Sequence, residues 1–307
     1  MDSLSFLHQW AEFNRLKWNC EAVVFSCQEP GSEAYCESVF FLNKQGRLYL
    51  PPLNPYHPTV FQATPTSKPY RVNKQWHVFA DKLADEMLKV AGSANFILPP
   101  HIQDVRPFIW RNFKIDVKYT YYLKLPYSKE ALTTAIRGKL KKAAAAGYRA
   151  ECTTNLTDVH ECLIGTENRK GFSHQLTIQD LELARSLFGD ERFRSFVCYA
   201  KDGEPVSSSI SILQGNGHAI GWLAGSKSEH LSYGVSQLLL SYELQDLHAS
   251  GVQTFDLCGA NIRSVSESKA AWQGELIPYY GIRVPSYKEL FKSGRQWLQF
   301  NQNTVNG

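Results

Sequence analysis

The chain has no apolar run near the roughly 20 residues that a membrane-spanning helix needs. Its first residues lack the basic and then apolar segments of a secretory signal, so we expect a cytoplasmic protein. The formal net charge of +4 is too small to indicate DNA binding through bulk electrostatics. What remains is a globular protein, and its 43% of hydrophobic residues can form a substantial core.

Reactive cysteine and serine patterns are missing as well. The seven cysteines are odd in number and scattered, mostly inside apolar runs, which favours buried reduced thiols over disulfides. No C-x-x-C pair and no His/Cys cluster has zinc-ligand spacing, so we expect no metal site. There is no Gly-x-Ser-x-Gly elbow either, and no Ser, His and Asp order indicates a hydrolase triad.

What the sequence does contain is a regular order of elements between residues 195 and 284. Three short β runs (195–200, 206–213 and 218–224) are separated by Asp-Gly and Asn-Gly turns. Residues 233–248 then repeat apolar side chains at helical spacing, and Gly251 suits a helix C-cap. Residues 254–258 form a short buried strand. The predicted order is a β-meander that leads into a helix and then a strand.

The first third of the chain shows a similar order without a similar sequence. The predicted elements there are helices at 5–17 and 75–90, strands at 22–26 and 95–98, and a hairpin at 38–50. This pattern alone leaves open whether the fold is duplicated. Farther along we predict a β-rich hinge at 114–125, a helix from an N-cap at Ser128 to Ala146, and helices at 159–164, 177–187 and 285–300.

Three segments extend the likeness to a known family. Residues 119–147 resemble the strand and basic helix that open the second lobe of FemAB-like proteins, a branch of the GNAT (acyl-CoA N-acyltransferase) superfamily. Residues 255–260 (FDLCGA) resemble that family's "fDfgGa" strand end, and 268–280 resemble its "FK-x-x-fgg…y" segment. Ser268 stands where the family usually has Phe, and Trp272 and Gln273 also depart from the pattern.

The resemblance implies an α/β fold with an α+β mixed sheet and two GNAT-like lobes. Each lobe would be a mostly antiparallel meander followed by a helix and a parallel strand. The lobes would comprise residues 1–118, completed by a C-terminal helix within 285–307, and residues 119–284. Some tRNA-dependent relatives carry an inserted helical hairpin with a heptad repeat. No segment of this chain sustains such heptads, so we expect it to be a compact, armless version that lacks the hairpin.

The implied activity is that of a bacterial transferase of cell-envelope biosynthesis. It would move an acyl or aminoacyl group to an amine of a nucleotide-, lipid- or peptide-linked acceptor, such as a small molecule or a cell-wall precursor. The donor would be acyl-CoA or aminoacyl-tRNA, which makes tRNA a partner to test, and no metal would take part.

The loop at 225–233 precedes the helix where GNAT enzymes bind the pyrophosphate of the donor. Free N–H groups and the dipole of a helix N-terminus favour an anion. Ser232, Tyr233 and Gly234 are therefore substrate-binding candidates. Because the segment fits the motif Gln/Arg-x-x-Gly-x-Gly/Ala poorly, an ordinary polar loop is the alternative.

Further substrate-binding candidates are basic or small residues. Arg137 and Lys141 are i, i+4 neighbours on one helix face, which suits a phosphate clamp or simply a solvated face. In the family the region of Arg169 faces the acceptor cleft, so Arg169 is a carboxylate or phosphate ligand or else a surface arginine. Gly259 would let a substrate approach the backbone closely.

The catalytic candidates are Lys269, Asp256 and Tyr280. Lys269 aligns with the family lysine that points into the cleft, where a cation would stabilise the oxyanion of an acyl transfer. Asp256 either bonds to backbone N–H groups or acts as general base. Tyr279 and Tyr280 alternate on the last strand, so only one can face the cleft, and we take Tyr280 as the proton donor to the leaving group.

Two interpretations stay open. The favoured one is an N-acyltransferase. The alternative is a non-catalytic ligand-binding module on the same fold, because fold does not fix function. A tRNA-binding protein is a third possibility, which the modest net charge does not support.

Overall fold

The computed structural model describes residues 3–90 and 95–284, and these form two compact units. Unit 1 comprises residues 3–19, 51–55 and 118–278, and unit 2 comprises 20–50, 56–90, 95–117 and 279–284. The helix predicted at 285–300 lies outside the described residues. No helix in the described part of the chain is long and apolar enough to cross a bilayer.

In chain order the helices are α1 (Ser3–Trp18), α2 (Pro69–Lys89), α3 (Arg106–Trp110), α4 (Thr134–Ala145), α5 (Leu156–Lys170), α6 (Ile178–Phe188), α7 (Val235–Ala249) and α8 (Arg263–Ala270). The strands are β1 (Glu21–Gln28), β2 (Tyr35–Leu42), β3 (Thr59–Gln62), β4 (Phe96–Ile97), β5 (Lys114–Lys124), β6 (Arg149–Cys152), β7 (Phe193–Tyr199), β8 (Pro205–Gly215), β9 (His218–Ser226), β10 (Thr254–Asp256) and β11 (Glu275–Arg283). Residues Ser228–Tyr233 form a short 3₁₀ helix between β9 and α7.

Unit 1 is built on a mixed sheet in the order β5-β10-β9-β8-β7-β6. The four strands from β6 to β9 are antiparallel neighbours. Strands β7, β8 and β9 form the predicted meander, and β6 adds a strand that the sequence analysis did not predict. Helix α7 carries the chain from β9 to β10, which then pairs parallel with β9 and antiparallel with β5. The mixed α/β fold class predicted from the sequence is therefore confirmed.

The core of unit 1 lies between α7 and the sheet. Val235, Leu239, Leu244 and Leu247 of α7 are buried against strand residues such as Phe255. Each fully buried side chain of this size contributes about 1.5–3 kcal/mol. This packing fixes the start of α7 beside the end of β9, where the predicted site lies.

Helix α1, which the sequence placed in the lobe of residues 1–118, belongs to unit 1. Its aromatic face explains this position. Trp10 stacks on Phe188 of α6 with ring centroids 5.5 Å apart, and Phe13 meets Trp222 of β9 edge-on at 5.4 Å. Buried aromatic pairs of this kind add about 0.5–1.5 kcal/mol each beyond their buried area.

Unit 2 contains the antiparallel sheet β1-β2-β3, and in it β4 pairs with the end of β11. Helix α2 buries Phe79, Leu83 and Met87 in the core of this unit. The hairpin predicted at 38–50 forms only in part. The Asn43 N–H donates to the Arg47 carbonyl, the Tyr49 N–H donates to the Phe41 carbonyl, and Leu42 bridges to Leu48, but residues 47–50 form no regular strand. Pro51 and Pro52 lack the N–H group that would extend this ladder, and β3 pairs with the earlier part of β2, from Tyr35 to Ser38.

The N-cap predicted for the basic helix is also wrong. Helix α4 begins at Thr134, and the Thr133 hydroxyl accepts the cap hydrogen bond from the Ile136 N–H. The Ser128 hydroxyl accepts from the Ala131 N–H and donates to Glu130, so Ser128 caps a turn that precedes the helix. Ser128 and Thr133 are both good N-cap residues, and sequence alone does not choose between them.

Candidate functional site

In unit 1 the strands β9 and β10 part after three residue pairs. The parallel pairing ends at Ile220 and Asp256, while β9 continues to Ser226. Cys258 (φ 52°) and Gly259 (φ 78°) then adopt left-handed backbone conformations, which turn the chain out of the strand. The parting opens a cleft of about 400 Å³ along the edge of β9.

Hydroxyl groups form one wall of this cleft, which we call the β9–β10 cleft. The Ser226 hydroxyl lies 2.7 Å from that of Ser207 and 2.9 Å from that of Ser236 at the start of α7. The Ser208 hydroxyl points to the other face of β8 and donates to the Val159 carbonyl of α5. The sequence indicated a half-buried strand here, but β8 is buried on both faces, and its serines use backbone and side-chain partners in place of water.

Glu243 of α7 also lines the β9–β10 cleft, and the sequence analysis missed it. Its side chain is buried, and its carboxylate accepts hydrogen bonds from Ser209 at 2.8 Å and from Ser211. Burial raises the pKa of Glu243 to about 7, while the two serine bonds act in the opposite direction. The available sequence signal was an acid four residues after Leu239 and four before Leu247, inside the apolar stripe of the helix.

Lys269 of α8 lies on another side of the cleft. Its ammonium donates to the carbonyls of Leu257 (2.6 Å), Cys258 (2.5 Å) and Gly259 (2.8 Å). Burial lowers the pKa of Lys269. Three carbonyl acceptors nevertheless require three N–H donors, which only the ammonium offers, so the geometry favours the charged form. Lys269 thereby holds the segment at which the chain leaves β10.

Asp256, the last residue of β10, is buried and makes the backbone bond that the sequence analysis gave as its structural alternative. It accepts from the Thr120 hydroxyl at 2.5 Å and from the Cys258 N–H at 2.7 Å. The Thr120 hydroxyl in turn accepts from the Gly259 N–H at 3.1 Å. Asp256 and Thr120 therefore stabilise the left-handed turn from behind the cleft wall.

Arg169, near the end of α5, is exposed and lines the cleft, and its guanidinium lies 3.4 Å from the Thr166 hydroxyl. Gly259 directly follows the cleft residue Cys258. Of the sequence candidates, Arg169 and Lys269 therefore line the β9–β10 cleft, and Gly259 lies beside it.

The donor-loop candidates make contacts with α4. The Ser232 carbonyl accepts from the Lys142 ammonium at 2.8 Å, and this ammonium lies 5.0 Å from the centre of the Tyr233 ring. Gly234 has φ 86°, and a Cβ there would approach Lys139 to 2.7 Å. Glycine is needed because α4 packs directly against this turn. The cleft is lined by the adjacent Leu231 and Ser236.

Arg137 and Lys141 lie in a separate groove of about 570 Å³ between α4 and α7. Its floor is apolar, with Leu140, Leu238 and Tyr242 among the lining residues. The Arg137 guanidinium donates to the Glu130 carbonyl at 3.1 Å and to the Thr134 hydroxyl at 3.3 Å. The structure therefore assigns these two cations to a different surface from Lys269 and Arg169.

Tyr280 belongs to unit 2, where it packs against the core of that unit. Its carbonyl accepts from the Leu98 N–H at 2.9 Å. The neighbouring Tyr279 is buried and meets Tyr56 edge-on. Of the three catalytic candidates, Lys269 and Asp256 are thus adjacent in unit 1, and Tyr280 is in the other unit.

One group of potential metal ligands stands out among residues 3–90 and 95–284. Atoms of Glu204, Glu229 and His230 lie within 4.8 Å of one another. The Lys227 ammonium donates to Glu204 and to Glu161, each at 2.6 Å. Because a lysine already supplies positive charge to Glu204, we treat the group as an ion-pair cluster.

Comparisons with known proteins agree with this geometry. Residues 132–264, which contain most of the β9–β10 cleft, match the acetyltransferase (GNAT) domain family. The crystal structure of FemX is similar, with a TM-score of 0.64 and 12% identity over 89% of this chain and 90% of that chain. No curated protein sequence matches the chain significantly.

Two further solved structures share the fold. The C-terminal domain of a putative lysylphosphatidylglycerol synthetase from Agrobacterium fabrum has a TM-score of 0.57 and 10% identity over 95% of both chains. L-PGS from Bacillus licheniformis has a TM-score of 0.53 and 12% identity over 92% of this chain and 93% of that chain. Residues 132–264 therefore match the GNAT domain family, and the fold of the chain is similar to that of FemX, in agreement with the sequence resemblance.

Proposed function

We propose that the protein is an N-acyltransferase that moves an acyl or aminoacyl group from an activated donor to an amine. The observation that carries this proposal is the β9–β10 cleft in a GNAT domain. Past Ile220 the edge of β9 no longer pairs with β10. An extended donor arm that contains amide groups can add to such an edge as a strand does.

The charges in the cleft suit this chemistry. Arg169, Lys170 and Lys269 provide positive charge, which attracts a phosphate-bearing donor such as acyl-CoA or aminoacyl-tRNA. As the amine attacks, the carbonyl oxygen becomes an oxyanion, the C–N bond forms, and the C–S or C–O bond to the donor breaks. The Lys269 ammonium donates its three hydrogens to backbone carbonyls, which hold it in place before the reaction, so it would stabilise the oxyanion through its charge and not through a hydrogen bond.

The acceptor we propose is an amine of a nucleotide-, lipid- or peptide-linked precursor of the bacterial cell envelope. The similarity of the fold to FemX and to a putative lysylphosphatidylglycerol synthetase supports this choice. Ser232, Tyr233 and Gly234 would border the donor. Arg137 and Lys141 would contact the distant parts of a long substrate through the groove between α4 and α7.

The test is a transfer assay with acetyl-CoA and aminoacyl-tRNA as donors and with UDP-linked muropeptides and phosphatidylethanolamine as acceptors that carry an amine. Lys269→Met keeps the length of the side chain and removes its charge, so we expect a rate loss of roughly 10²-fold. Lys44→Met, in an exposed turn, is the control and should keep the wild-type rate.

An unchanged rate in Lys269→Met would remove Lys269 from the mechanism. If the wild-type protein binds a donor or acceptor but transfers nothing, the chain is instead a ligand-binding module on this fold. RNA binding that depends steeply on salt, without transfer, would favour the tRNA-binding interpretation.

A further inference from the structure

Glu243 is a carboxylate in a place where folding alone does not require one. It lies on the face of α7 that buries Leu239 and Leu247, at 2% exposure. No ion pair to Glu243 occurs among the residues that the structure describes. Ionising a buried carboxyl without a cationic partner costs several kcal/mol, and an apolar residue there would avoid that cost.

The surroundings of Glu243 form a short hydrogen-bonded path to the cleft. Ser209 and Ser211, two residues apart on β8, present their hydroxyls on the same face, and both donate to the carboxylate. Ser209 also lines the β9–β10 cleft. A hydroxyl that donates to a carboxylate can accept a proton from a group in the cleft as it passes its own proton on.

We propose that Glu243 is the general base of the transfer, taking through the Ser209 hydroxyl the proton that the attacking amine releases. This inference rests on the proposed function. As the amine nitrogen bonds to the acyl carbon, one N–H proton passes to the Ser209 oxygen, and the Ser209 proton passes to Glu243. When the bond from the acyl carbon to the donor breaks, the same path returns the proton to the departing sulfur or oxygen. The acceptor gains an amide, and both Glu243 and Ser209 regain their starting states.

The charged groups around Glu243 are compatible with this role. Asp246, one turn farther along α7, pairs with Arg194 of β7 at 2.5 Å, which offsets its charge. Lys269 and Arg169 line the cleft without pairing to Glu243 in the described residues. The pKa of about 7 that burial gives Glu243 suits a base that works near neutral pH.

The experiment measures the pH dependence of the transfer rate from pH 5.5 to 8.5 in wild type and variants. It uses the donor and acceptor that give transfer in the assay described under the proposed function. We express the rate per neutral acceptor amine, whose fraction at each pH follows from the pKa of that amine in solution. In wild type we expect this rate to rise about tenfold per pH unit below about pH 7 and then to level off. Glu243→Gln should lose this acid limb and roughly 10²-fold in rate, and Ser209→Ala should lower the rate about tenfold or more.

The matched control is Ser195→Ala. Ser195 is a buried serine of the same meander that donates to the Thr153 carbonyl and does not line the cleft. The Ser195→Ala variant should keep the wild-type pH profile.

If Glu243→Gln is folded and keeps both the rate and its rise with pH below pH 7, the inference is overturned and the proposed function stands. If Glu243→Gln does not fold, a wild-type rate in Ser209→Ala overturns the proposed path. If wild type transfers nothing, the proposed function fails, and this inference fails with it.

Discussion

Replacing Glu243 by Gln should make the protein more stable relative to wild type as the pH rises. Burial raises the pKa of Glu243 to about 7 in the folded state from its ordinary value of 4.5. The folded protein therefore binds this proton more tightly than the unfolded chain, so the stability it adds is present below pH 4.5 and is lost as the pH rises through 7. When Glu243 is ionised in both the folded and the unfolded protein, the free energy of unfolding lost in this way amounts to about 3 kcal/mol.

Between pH 5 and pH 8, the ionisation of Glu243 therefore lowers the free energy of unfolding of wild type by about 2–3 kcal/mol. Glutamine has nearly the same shape and can keep bonds with Ser209 and Ser211, but it does not ionise. The free energy of unfolding of Glu243→Gln, minus that of wild type, should accordingly rise by this amount from pH 5 to pH 8.

The assay is guanidinium unfolding of both proteins at pH 5 and pH 8, followed by circular dichroism. The exposed Glu182→Gln controls for the change in net charge. Taking the difference between variant and wild type at each pH removes the contribution of the other titrating groups. An equal difference at both pH values, or one that falls with pH, would refute the reasoning that burial dominates the ionisation of Glu243.

Two further predictions concern glycines in unit 1. Gly225→Ala would place a Cβ 2.5 Å from the Cys162 carbonyl oxygen, so α5 must shift, and we expect thermal denaturation to show a loss of about 1–3 kcal/mol. Gly138→Ala places its Cβ in open space within α4 and should instead stabilise the protein by about 0.5–1 kcal/mol, since Ala is the better helix former. A gain in Gly225→Ala, or a large loss in Gly138→Ala, would contradict these contacts.

Much of unit 1 could be predicted because its elements depend on local sequence signals. The Asp-Gly and Asn-Gly turns set the ends of β7, β8 and β9, and the observed strands differ from the predicted ones by one or two residues. The helix predicted at 177–187 is observed at Ile178–Phe188, where the Thr177 hydroxyl caps it in a capping box with Asp180. Such signals act within a few residues and can therefore be recognised in the sequence.

The features that sequence reasoning missed depend on distant contacts. Nothing local to Trp10 and Phe13 indicates that their partners are Phe188 and Trp222. The burial of both faces of β8 follows from α5 and α7 packing on opposite sides of the sheet, which the alternation of its serines does not reveal.

The candidate site was found only in part for the same reason. Lys269 and Arg169 were found through the family resemblance, and both line the β9–β10 cleft. Glu243 was missed because its significance comes from Ser209 and Ser211, more than 30 residues earlier in the chain. The groove position of Arg137 depends on the packing of α4 against α7, which helix periodicity alone does not specify.

The central claim is that the β9–β10 cleft binds the substrates. Ala224 is an exposed cleft residue on β9, so Ala224→Trp should fill the cleft without disturbing the core, and Ala135→Trp on the exposed face of α4 is its control. The measurement is the change in melting temperature of each variant with acetyl-CoA, aminoacyl-tRNA and UDP-linked muropeptide. A ligand that binds the native state raises the melting temperature. We expect at least one of these ligands to do so in wild type and Ala135→Trp but not in Ala224→Trp. An equal rise in Ala224→Trp would contradict the claim, because the ligand would then bind elsewhere.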